Sequence, residues 1–188
     1  MNANEYSIRR SRIDDLEGIF DLYKLVSKAI GGLARSENEI KKEYVKNFTE
    51  RSIENGVQFI IVDQLNDKKI IAEIHCYKLE PNVFGHILSE LTISVDPFYQ
   101  GKGFGRKLFQ TLLDFVSLER TDILRIELIA RESNSRAIKL YESIGFVKEG
   151  RMEKRIRINK SSFEADIPMA WFNPNFHPVT VFTLPQTE

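Results

Sequence analysis

The chain has 188 residues, the size of one ordinary domain with room for a sizeable core, so a single domain is expected. Lys+Arg and Asp+Glu both number 27, and the resulting net charge of zero argues against a general nucleic-acid binder, whose affinity comes mainly from neutralising phosphates. The single cysteine, Cys76, cannot make an internal disulfide; with no signal-like apolar stretch behind Met1 and no run long enough to span a bilayer, a cytoplasmic, soluble protein with no membrane partner is expected.

Tyr6 to Ile13 mixes β-formers with Arg9, Arg10 and Arg12, as suits a strand near a sheet edge with one wet face. Asp14-Asp15 then reads as the cap of a helix whose apolar stripe is Leu16, Ile19, Phe20, Tyr23 and Val26, ending before Gly31-Gly32. Gly31-Gly32-Leu33-Ala34-Arg35 has the composition of a loop, either a connection or one wall of an acceptor site. A second helix is expected from Ser36, with Glu39 completing a capping box, Ile40, Tyr44 and Phe48 as its stripe and Gly56 as its stop. Val57 to Val62 is an apolar strand, and Asp67-Lys68-Lys69 turns it into a second strand, Ile70 to Leu79. That second strand carries Glu73, His75 and Tyr77 at period two, which reads as a solvated sheet face, with a site as the alternative.

His86 to Val95 is the central strand, and Pro97 closes it because proline cannot continue a ladder. Gly101, Gly103 and Gly105 then alternate with Lys102, Phe104 and Arg106 before a helical stripe of Leu108, Leu112, Phe115 and Val116 begins. Glycines at a helix entrance leave the first N–H groups uncovered at the positive end of the dipole, so a phosphate can come close, and Lys102, Arg106 and Lys107 add charge. The spacing is neither the G-x-G-x-x-G dinucleotide fingerprint nor a Walker loop. Ile123 to Ala130 reads as a buried strand. Asn134 to Phe146 follows as a helix with Ala137, Leu140, Tyr141 and Ile144 on one stripe, Ser133 or Asn134 at its start and Gly145 at its end. Val147 to Ile158 and Phe163 to Trp171 are β-like runs joined by a turn at Asn159-Lys160-Ser161-Ser162, and the tail 173–188 has no pattern, leaving 1–172 as the domain.

Two strings carry a resemblance. Gln100-x-x-Gly103-x-Gly105 after Val95-x-Pro97, and Asn134-x-x-Ala137-x-x-x-Tyr141-x-x-x-Gly145-Phe146, resemble the two signatures of the GNAT superfamily of acetyl-coenzyme-A-dependent N-acetyltransferases; with the elements between them they span about Leu91 to Phe146. The expected fold is a single α/β domain with a mixed, largely antiparallel sheet of six to seven strands and helices on both faces. The resemblance implies acetyl-CoA as cosubstrate without a metal, and acetyl transfer to a primary amine of a small molecule or protein by a monomer or homodimer. It implies that the backbone of Ile93, Ser94 and Val95 pairs with the pantetheine amides, and that Gln100, Gly101, Lys102, Gly103, Phe104, Gly105 and Arg106 cradle the pyrophosphate. Asn134 falls near the pantetheine arm, its plainer reading being an N-cap, and Tyr141 falls where a hydroxyl protonates the departing thiolate, its plainer reading being a core tyrosine.

The base is the point of departure. Members that place a glutamate on the central strand would have it at Ser89, one residue short of Glu90, and ribosomal-protein N-terminal acetyltransferases place it on the next strand, here Ile129. Glu90 takes the role if the strand carries a bulge that shifts side-chain parity by one, with Glu127, Glu73, His75 or water in reserve. Transfer of another acyl group, or to another acceptor, is the alternative among enzymes. From a different class, the chain would be a non-catalytic acetyl-CoA-binding module or sensor, which need not keep Tyr141.

Overall fold

The computed structural model describes residues 5–29 and 33–178, so Gly31-Gly32 and the last ten residues of the expected tail lie outside it. The elements run β1 (Tyr6–Arg10), α1 (Leu16–Ser27), α2 (Lys42–Asn55), β2 (Gly56–Asp63), β3 (Lys69–Tyr77), β4 (Ile87–Val95), α3 (Phe104–Glu119), β5 (Arg125–Arg131), α4 (Ser135–Ser143), β6 (Val147–Lys148), β7 (Met152–Arg157) and β8 (Phe163–Phe172). They form one eight-stranded sheet ordered β1-β2-β3-β4-β5-β8-β6, with β7 also on β8. Every pairing is antiparallel except β4 with β5. The eighth strand arises because the run expected from Val147 to Ile158 breaks into β6 and β7.

The sheet is covered on both faces. Val57, Phe59 and Ile61 of β2 pack with Leu108, Phe109, Leu112 and Val116 of α3, whereas Ile60 and Val62, one residue out of step, pack with Ile19, Leu22 and Val26 of α1 and Phe48 of α2. Burial on both faces is why β2 reads as a continuous apolar run. Gly56 joins α2 directly to β2, where a Cβ would stand 2.2 Å from the Cys76 carbonyl oxygen, so the junction has room only for glycine.

Local chemistry departs from expectation at three places. Ser36 and Glu39 do form a capping box, but it opens a separate single turn at Glu37–Glu39, and the long helix begins only at Lys42. Asp15 does not cap α1; its carboxylate accepts from the Arg12 N–H (2.7 Å) and pairs with Arg9 (2.6 Å), closing the turn before the helix. Glu73, His75 and Tyr77 are not on a solvated face. Glu73 is fully buried and His75 is 2% exposed, because α1 and α2 lie across that side of β3.

The start of the tail is pinned. The Asn173 side-chain amide donates to the carbonyls of Val116 (3.4 Å), Arg120 (3.3 Å) and Ile123 (2.9 Å), satisfying the open end of α3. Replacing Asn173 with alanine leaves these carbonyls without that donor and is expected to lower the unfolding free energy by about 2 kcal/mol. The check is a lower denaturant midpoint with an unchanged slope; an unchanged midpoint would assign the bonds no net worth.

Candidate active site

β4 and β5 run parallel only at Ile87–Arg125 and Leu88–Ile126 and then part, since no further residues of the two strands pair. The opening is fed from its wide end by the glycine loop. Gly103 is the N-cap of α3 with φ +85°, and Gly101 has φ +77°, conformations that L side chains rarely adopt. No side chain caps this helix, so its first N–H groups point outward, and no heavy atom stands within 4 Å of where a Cβ on Gly101 or Gly103 would sit. The result is an open anion cradle. Gln100 braces the loop by donating to the Val95 carbonyl (3.2 Å), and Arg106 is steered toward α4 by its bond to Ser143 Oγ (2.8 Å).

A cleft of about 500 Å³ runs from this cradle between β4 and α4. It brings together Ile93, Val95, Gln100, Gly101, Gly103, Phe104, Gly105, Arg106, Asn134 and Tyr141 of the expected coenzyme residues. Two of the expected residues point elsewhere. The Ser94 side chain is buried away from the cleft with its hydroxyl unpartnered, and Lys102 holds its ammonium over the Tyr99 ring at 4.8 Å. Asn134 is an N-cap, its Oδ1 accepting from the Ala137 N–H (3.2 Å), and it also lines the cleft. Arg136, two residues after Asn134 in the same wall, adds a cation that the motif does not include; its signal was a basic residue in the first turn of a cleft-facing helix.

Tyr141 packs on Phe109 (5.2 Å between centroids) and Phe146 (6.1 Å), with its ring at the cleft wall. Burial pushes its phenol up to about 12, so it keeps its proton across the neutral range and is available as a donor.

Nearer the point where β4 and β5 part lies a second depression of about 370 Å³, with Ser89, Glu90 and Thr92 on one wall and Glu127, Ile129 and Glu149 on the other. Glu90 reaches it because β4 does carry a bulge. Tyr77 stands opposite Ser89 and His75 opposite Thr92, so Cys76 faces both Glu90 and Leu91. The bulge puts Glu90 at φ +56°, a strained conformation for glutamate of the kind that clusters at functional sites, and lets Leu88 and Leu91 both enter the core. Arg125 is shared between Glu127 (3.0 Å) and Glu149 (2.5 Å), whereas among the described residues no cation pairs with Glu90. Ile129 makes part of that wall apolar. Among the described residues, no group of three or more His, Cys, Asp or Glu side chains could hold a metal ion. No helix there is long and apolar enough to cross a membrane.

An uncapped, glycine-opened helix end at the mouth of a cleft between β4 and α4 suits a phosphate-bearing ligand, and the acidic groove lies further back along β4. The chain belongs to the acetyltransferase (GNAT) family, whose profile matches residues 21–146. The N-alpha-acetyltransferase RimI of Mycobacterium tuberculosis is 41% identical over 68 residues, covering 36% of this chain and 40% of that protein. The spermidine N(1)-acetyltransferase of Vibrio cholerae is 38% identical over 74 residues, 39% of this chain and 42% of that protein. The chain therefore spans about two-fifths of the length of these curated relatives. Among solved structures, yncA of Salmonella typhimurium, a putative acetyltransferase determined with acetyl-CoA, has the same fold, with a TM-score of 0.77 over 95% of this chain and 100% of that one at 16% identity.

Proposed function

We propose that the protein is an acetyl-CoA-dependent N-acetyltransferase acting on a primary amine of a small molecule or a protein. The observation that carries this reading is the parting of β4 and β5 after Leu88 and Ile126, with an acidic groove along Ser89 to Thr92 of β4 and a phosphate-ready cleft beside Ile93 and Val95 of the same strand. Acetyl-CoA, when bound, supplies an acetyl group activated as a thioester. The chain's own residues hold and protonate. The N–H groups at the start of α3 and the Arg106 guanidinium hold the diphosphate, and the backbone of Ile93, Ser94 and Val95 pairs with the pantetheine amides. Tyr141 gives the departing sulfur its proton. Glu90 meets the amine: its unpaired charge at the groove attracts an ammonium and favours its correct placement.

The experiment is a panel of primary amines followed by release of the free coenzyme thiol, with the acetylated product identified by mass. Release that requires an amine, and is faster for cationic than for anionic amines, is the expected result. Stabilisation of the fold by acetyl-CoA with no thiol release from any amine would replace this reading with that of an acetyl-CoA sensor.

A further inference from the structure

Behind the acidic groove lies a buried polar cluster that the coenzyme cleft does not use. Glu73 accepts from Tyr23 Oη (2.7 Å) and from Gln58 Nε2 (2.8 Å), and its Oε1 stands 2.9 Å from His75 Nδ1. Ser11 Oγ donates to Gln58 Oε1 (2.6 Å), which turns the amide so that its nitrogen faces the carboxylate. Tyr23 Oη also lies 3.3 Å from Nδ1. With Glu73 as a carboxylate, which only accepts, Nδ1 carries the hydrogen and the basic lone pair of the imidazole sits on Nε2. Among the described residues, Nε2 takes no hydrogen bond. Phe48 stacks on the ring at 4.0 Å with 5° between the planes, and Tyr77 lies parallel to it at 6.1 Å, so the ring is held in one orientation.

An imidazole oriented by a carboxylate through one nitrogen and free at the other is the arrangement of a general base. Nε2 is not among the fully buried atoms that lack a partner, so it keeps some access to solvent. His75 stands opposite Thr92 in the antiparallel β3–β4 pair, so the two side chains adjoin on one face, and Thr92 lines the groove beside Glu90. As classes, imidazoles are stronger bases than carboxylates by about two pKa units, which matches them better to an ammonium.

We infer that His75, oriented by Glu73, takes the acceptor amine's proton through a water held beside Thr92, while Glu90 supplies the charge that docks the ammonium. The assignment rests on the acetyl-transfer reading. The ammonium gives one proton to Nε2 and becomes the neutral nucleophile. As the N–C bond forms and the C–S bond breaks, Tyr141 gives its proton to sulfur, and the nitrogen's surplus proton restores the phenol. The products are amide, thiol and one proton on His75, which returns to solvent. The titratable groups around the imidazole are Glu73 and Tyr77 on β3 and Tyr23 on α1, with Tyr44 of α2 against the Tyr23 ring (6.3 Å) and Glu90 two residues from Thr92 on β4; its β2 neighbour is the neutral Gln58. The nearby cations are turned to aromatic rings, Arg35 over Tyr44 (4.2 Å) and Arg51 over Tyr77 (4.1 Å).

The test compares pH profiles of kcat/KM for the wild-type protein, His75→Gln and Glu90→Gln. Glutamine at 75 still donates to Glu73 but cannot take a proton. His75→Gln is expected to lower kcat/KM at neutral pH by about 100-fold and to abolish the acid limb, with stabilisation by acetyl-CoA unchanged. Glu90→Gln is expected to raise KM for the amine with the limb intact. A limb that survives in His75→Gln, or vanishes in Glu90→Gln instead, overturns the assignment. Should His75→Gln fail to fold, imidazole nitrogen NMR of the wild-type protein serves, because it has only three histidines. The pH at which the His75 signals move should be the pH at which kcat/KM rises, and a mismatch overturns the assignment. Absence of thiol release by the wild-type enzyme from every amine would appear before any variant is compared, and would remove the acetyl-transfer reading and this assignment together.

Discussion

Gly103→Asp is expected to weaken acetyl-CoA binding about 100-fold while leaving the fold standing. Gly103 caps α3 at φ +85°, and a side chain there meets nothing within 4 Å, so the substitution costs only the strained backbone, about 1 kcal/mol, and aspartate is among the residues that best tolerate that region. Its charge, however, stands at the mouth of the anion cradle. Two like charges about 4 Å apart repel by about 4 kcal/mol at an effective dielectric of 20, and even with part of this screened by solvent in the open cleft, about 100-fold in affinity is lost. Calorimetry against the wild-type protein is the check. Equal affinities would make the loop an ordinary turn.

Tyr141→Phe is expected to act on turnover alone. The ring keeps its contacts with Phe109 and Phe146, and among the described residues the hydroxyl makes no hydrogen bond, so melting temperature and coenzyme affinity should barely move. The turnover number should fall about 100-fold if the hydroxyl protonates the leaving thiolate. The phenol's ordinary value of 10.0 is raised by burial to about 12, so the donor form persists below that pH and the mutational effect should be constant across the neutral range. The same shift carries a stability sign. The unfolded chain ionises this tyrosine from about pH 10 and the folded chain only near 12, so the contribution is intact below pH 10 and is lost as pH rises between the two. Full turnover in Tyr141→Phe would assign the residue to the core.

What was legible in the sequence was what is local. The glycine loop at 101–105 and the helix from Asn134 to Gly145 are encoded by residues next to one another, and their backbone conformations, positive φ at Gly101, Gly103 and Gly145, follow from side chains that are missing. The order of strands and helices was legible for the same reason. The bulge at Glu90 could be posed but not decided, because it depends on register with β3, where Cys76 faces two residues. The burial of Glu73, His75 and Tyr77 was misread because period-two polarity looks the same whether water or a helix covers the face. Only the docking of α1 and α2 brings Tyr23 and Phe48 onto that surface, and only β2 supplies Gln58. The pairing of Arg125 with Glu149 likewise joins β5 to a loop beyond β6 and has no signal in spacing.

The most direct measurement is a crystal structure with acetyl-CoA bound. The account predicts the diphosphate on the backbone N–H groups between Gly101 and Arg106, the pantetheine lying along Ile93 to Val95 in the opening between β4 and β5, the thioester sulfur within hydrogen-bond reach of the Tyr141 hydroxyl, and the acetyl group facing Glu90 and Thr92. A coenzyme bound away from the glycine loop, or one whose sulfur lies out of reach of Tyr141, would contradict it.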